Sequence, residues 1–136
     1  DNACTVEVGG TDRYRRLIEC SEACVKEAIA IIGPNVDLGT VGAAIEMTAK
    51  DFGYKTLQNL TGHSLETYNL HAGITVPNCS MKVSRRPRIG DVLACEPFVT
   101  DGSAGRAEPQ QMGGSKGGKV SFAPLTSSRP RRPART

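Results

Sequence analysis

Residues 59–78 read NLTGHSLETYNLHAGITVPN and hold both histidines of the chain, His63 and His71. The runs SLETYNL and AGITV have strand character, and Pro77-Asn78 stops the second. Gly62 allows either a close backbone approach or a positive φ ahead of His63, and Ala72-Gly73 leave space beside His71. A histidine is most often a surface or hydrogen-bonded core residue. Two of them, eight positions apart and each beside small residues, make this stretch a candidate site.

On the N-terminal side, ACTVEV (residues 3–8) reads as a strand closed by Gly9-Gly10. A helix is expected from Thr11 or Asp12, because Tyr14, Leu17, Ile18, Cys24, Val25, Ala28, Ile29 and Ile32 recur at helical spacing before Gly33-Pro34. A second helix is expected from about Asp37 to Phe52, although Gly39 and Gly42 weaken it. YKTLQNL, after Gly53, reads as a short strand. On the C-terminal side, SRRPRIGD is a turn-rich connection and DVLACEPFVT one buried strand with Glu96 in its middle. Strand, two helices, then several strands is an α+β order, with two helices packed on a mostly antiparallel sheet.

With 38% apolar and 23% charged residues, the 136-residue chain reads as a soluble globular domain without a membrane span. It starts at Asp1 without an initiating Met or a signal peptide, which points to a chain that begins inside a larger protein. Cys4, Cys20, Cys24, Cys79 and Cys95 are odd in number and form no C-x-x-C pair, so they read as buried hydrophobes of a reducing cytoplasm. Residues 1–100 carry 10 basic and 12 acidic side chains, while residues 101–136 carry 7 and 2. The body therefore gives no support to DNA binding. Residues 102–136, rich in glycine and ending SSRPRRPART, read as loop or disorder.

Glu96 lies among Val92, Leu93, Ala94, Cys95 and Phe98, where an unpaired carboxylate is costly. Imidazole plus carboxylate suits Zn, Mn, Fe or Co. Spacing alone does not show that His63 and Glu96, 33 positions apart, converge.

Three motifs do carry a resemblance. NLTGHSLETYNLHAGITVPN, GDVLACEPFVTDGSAG (residues 90–105) and the opening DNACTVEV are similar, in order, to type II methionine aminopeptidases of the archaeal kind. The eight-residue step between the histidines favours type II over type I. The resemblance implies a pita-bread α+β fold and two divalent metal ions that activate water. It implies metal ligation by Asp1, His63 and Glu96, with Glu96 also a catalytic proton shuttle. His71 would be the catalytic, substrate-binding histidine beside the scissile bond. The implied substrate is a peptide or nascent polypeptide with N-terminal Met followed by a small residue, in the cytoplasm and with possible ribosome association. Tyr68 would support the pocket, and Asn59 and Asn78 would fix turns.

The family's first aspartate ligand and its last glutamate ligand have no counterpart, and Glu108 in GRAEPQQ lacks strand character. Residues 1–101 are therefore expected to be an incomplete catalytic domain, inactive alone. Residues 102–136 would be a tail or the start of the type II insertion. An Arg-rich end could also bind RNA phosphates. The alternative is a pita-bread pseudoenzyme serving as a protein- or RNA-binding scaffold; the prolidase and creatinase group is a third reading.

Overall fold

The computed structural model describes residues 3–103, 105–107 and 120–122. Its elements run α1 (Arg15–Ile31), α2 (Leu38–Asp51), β1 (Lys55–Thr56), β2 (Gly62–Leu65), β3 (Thr75–Val76), β4 (Val92–Ala94), β5 (Phe98–Thr100) and β6 (Val120–Phe122). The strands form two antiparallel three-stranded sheets, in the orders β1-β5-β6 and β3-β2-β4.

The helical spacing read from the sequence produces the core. Leu17, Cys20, Cys24 and Ala28 of α1 meet Leu38, Val41, Ile45 and Ala49 of α2, with Val76, Cys95 and Val99 closing the cluster from the strands. Each fully buried aliphatic side chain of the Leu or Val kind contributes about 1.5–3 kcal/mol. In α2, Asp37 caps the helix by accepting from the Gly39 N–H at 2.9 Å. In α1, Tyr14 at the N-cap has no capping side chain. The Glu7 carboxylate does the work from outside, accepting from the backbone N–H groups of Arg13 and Tyr14, both at 3.0 Å. A carboxylate at this end also complements the helix dipole.

Three expectations are corrected. Residues 3–8 form no strand, and Glu7 serves the helix start instead. The run DVLACEPFVT is two strands in different sheets, because Pro97 lacks the N–H that a continuous ladder needs. SLETYNL is not one strand: β2 ends at Leu65, and Glu66 and Asn69 close a hairpin turn. Val120–Phe122, within the segment read as mostly loop, form β6 against β5.

The glycines of α2 have a packing reason. A Cβ at Gly39 would collide with the carbonyl oxygen of Met81, and one at Gly42 with that of Cys79. Their absence lets the chain after β3 lie directly on the helix.

Candidate active site

His63 occupies the middle of its sheet, opposite Thr75 of β3 on one side and Ala94 of β4 on the other. Side chains alternate along a strand, so Glu96, two residues beyond Ala94, is carried back to the His63 face. His63 Nε2 stands 3.1 Å from Glu96 Oε1, and both side chains are nearly buried, 11% and 14% exposed. Cys95 between them points the other way, into the core. Burial pushes the Cys95 thiol up to about 12, so it stays protonated at neutral pH.

His71 reaches the same place through an irregular return strand. The register that pairs Gly62 with Val76 and His63 with Thr75 would, if continued, place Ala72 opposite Glu66. Asn69 pairs with Glu66 instead, so three extra residues bulge from the return strand and carry His71 with them. Ser64 fastens the base of this excursion. Its carbonyl accepts from the Ala72 N–H at 2.8 Å, its N–H donates to Ile74 O at 2.9 Å, and its hydroxyl accepts from the Ile74 N–H at 3.0 Å. The His71 ring comes to rest with its centroid 4.3 Å from that of His63, tilted by 55°. His71 itself is exposed.

The donor set suits a cation. His63 Nδ1 lies 3.3 Å from the Ser64 carbonyl oxygen. With its proton given to that carbonyl, Nε2 presents a lone pair toward Glu96. Glu96 Oε1 is buried and accepts no hydrogen bond, although the imidazole is within contact distance. Two electron-rich atoms 3.1 Å apart in a nearly dry place oppose each other unless a positive charge lies beside both. Among the described residues, no group of three or more His, Cys, Asp or Glu is arranged to hold a metal. Asp1, the third ligand expected from the resemblance, lies outside the described residues, as does Glu108.

Gly62, expected to allow a close approach or a positive φ, does the first: its Cα lies against the Ala94 carbonyl. Tyr68 is corrected. It stands fully exposed at the hairpin tip with φ +59 and supports no pocket. Asn59 and Asn78 are structural ties, Asn59 to Ala107 and Asn78 to Leu60. A surface groove of about 460 Å³ lined by Asp12, Arg15, Arg16, Glu19, Asp51 and Phe52 includes none of the site residues. Sequence reasoning overlooked Ser64. Its only signal is a small hydroxyl residue directly after His63.

Comparison with known proteins gives the family. The model of metallopeptidase family M24 matches residues 1–121. Methionine aminopeptidase of Methanothermobacter thermautotrophicus is 39% identical over 103 residues, which cover 75% of this chain and 34% of that protein. The Methanocaldococcus jannaschii methionine aminopeptidase is 36% identical over 102 residues, again 75% and 34% of the two chains. The chain thus spans about a third of the length of the curated relatives it matches. The crystal structure of methionine aminopeptidase from Thermotoga maritima superposes with a TM-score of 0.77 at 27% identity, over 90% of this chain and 51% of that one. The α+β arrangement is therefore part of the pita-bread fold of these enzymes, and the family implies dependence on divalent metal ions. A shared fold, a match over most of the sequence and a paired imidazole and carboxylate together place the chain in metallopeptidase family M24.

Proposed function

We propose that this chain carries the histidine–glutamate portion of a type II methionine aminopeptidase active site, acting on cytoplasmic peptides or nascent chains with N-terminal Met. The observation that carries the reading is the His63–Glu96 pair, 3.1 Å apart and nearly buried, with the His71 ring beside it. Support for type II comes from the eight-residue step between the histidines and from archaeal relatives at 36–39% identity. No helix among the described residues is long and apolar enough to cross a membrane.

His63 through Nε2, Glu96 through Oε1 and Asp1 would hold the metal ions, two by the resemblance, chosen from Co, Mn, Fe or Zn. Bound there, they would supply Lewis-acid polarisation of water and of the peptide carbonyl. Glu96 would take a proton and return it to the departing amine. His71 would donate its ring N–H to the carbonyl oxygen as that carbon becomes tetrahedral. Losing one such donor costs on the order of 100-fold in rate.

Calorimetric titration of the folded chain with Mn²⁺ or Co²⁺ tests the assignment. Binding should be present in the native chain and lost in His63→Ala; a folded native chain that binds neither ion would overturn it. Methionine release from Met-Ala-Ser by the same preparation is expected to stay at background, because two ligand positions of the family have no counterpart here. Release that disappears in His63→Ala would keep the assignment and overturn the expected inactivity.

A further inference from the structure

Arg85 and Arg86 are adjacent in sequence but differently employed. Arg86 donates to Asn35 O at 2.7 Å and approaches Asp37 Oδ2 at 3.4 Å. The next residue, Pro87, is buried, and its carbonyl accepts from the Asn35 N–H at 2.8 Å. These contacts fix the loop on both sides of the Arg86 Cα. Arg85 is exposed and makes no hydrogen bond or ion pair with any described residue. Its guanidinium lies over Gly73, with Nη1 2.8 Å from the point a Cβ at 73 would occupy. Gly73 is two residues from His71, a path of at most about 7 Å.

We propose that Arg85 reads the peptide beyond its first residue and favours acidic side chains there, an inference that rests on the peptidase reading of the site. A peptide whose first carbonyl meets His71 advances about 3.4 Å per residue when extended, so its third or fourth residue comes beside this guanidinium. A guanidinium presents a planar fork of donors matched to a carboxylate, and this fork is not engaged by any described residue. Lys82, Arg86 and Arg88 lie within three positions of it in the sequence, so the contribution of this one side chain is read from its own substitution.

The test is an NMR titration of the ¹⁵N-labelled chain, loaded with Mg²⁺ as a diamagnetic probe, with Met-Ala-Glu-Glu-amide and with Met-Ala-Gln-Gln-amide. The acidic peptide should shift the Gly73 amide at concentrations about 3- to 5-fold lower than the neutral one, the scale of an exposed ion pair. The preference should vanish in Arg85→Gln and shrink at about 0.5 M salt, where screening reaches only a few ångströms. Arg85 faces solvent, so its substitution leaves the fold intact, which the unchanged remainder of the spectrum will show. Equal affinities in the native chain, or a preference that survives Arg85→Gln, overturn the proposal. Shifts at His71 without any at Gly73 overturn the role of Arg85 alone. Absence of shifts at both with either peptide counts against Arg85 and against the peptidase reading together.

Discussion

The carbonyl oxygen of Ala94 lies against the Cα of Gly62, so close that a Cβ at position 62 would overlap it. This contact sets the spacing of β2 and β4 one residue before His63 faces Ala94. Gly62→Ala is expected to force the strands apart at a cost of about 1–3 kcal/mol, typical of overpacking. Thermal unfolding should register the loss, and Mn²⁺ affinity should fall with it because Glu96 moves with β4. Unchanged melting and unchanged metal affinity would refute the argument.

Replacing Glu96 by Gln should have opposite effects with and without metal. In the tautomer whose Nδ1 proton faces the Ser64 carbonyl, the Gln amide can donate to His63 Nε2, which converts two opposed lone pairs into a hydrogen bond and stabilises the metal-free protein by about 1 kcal/mol. By the proposed metal assignment the same change also removes an anionic ligand, so the rise in melting temperature on adding Mn²⁺ should largely disappear. Melting curves in chelator and in Mn²⁺ decide both halves. A destabilised metal-free Glu96→Gln would show that the carboxylate is not strained by its neighbour.

Alanine usually stabilises a helix interior relative to glycine, by up to about 1 kcal/mol. Gly42→Ala should reverse that sign, because the new methyl would run into the Cys79 carbonyl oxygen and approach Pro77 Cγ at 2.9 Å. Urea unfolding of this variant should give a lower midpoint than the native chain. A higher midpoint would mean that the segment after β3 yields without cost.

The thiols predict a pH dependence. Cys24 is held well above the ordinary thiol range, first by its hydrogen bond to Cys20 and then by burial. The folded state thus keeps a proton that the unfolded state releases. Its contribution to stability is complete below the unfolded thiol value of about 8.5 and declines as pH rises above it. Denaturation midpoints measured from neutral to alkaline pH should fall less steeply in Cys24→Ala. Exposed Cys4 should react with a thiol reagent at once, whereas Cys20 and Cys24 wait for unfolding.

What could be read from the sequence follows from how local each cause is. The core of α1 and α2 was legible because apolar residues at helical spacing act within one element, and Asp37 marks a cap in plain view. The start of α1 moved from Asp12 to Arg15, since Asp12 takes a positive φ and the capping group is Glu7, earlier in the chain. Pro97 was visible, yet the buried character of its neighbours outweighed it and hid the division between β4 and β5. The turn at residues 66–69 carried no glycine to announce it. The grouping of His63, His71 and Glu96 rested on motif resemblance. Its geometric reasons, the bulge that lifts His71 and the collision that excludes a side chain at 62, are tertiary.

Glu96 stands at the joint where one strand run leaves the sheet of β4 and enters that of β5, while His63 lies wholly inside the first sheet. The gap between the two donor atoms is consequently a gauge of how the sheets sit against each other. An ion held by both would act as a rivet, and chelation would be felt as mechanical slack far from either ligand. On the proposed assignment, substitutions at remote positions that slide one sheet along the other would retune metal affinity without altering either His63 or Glu96.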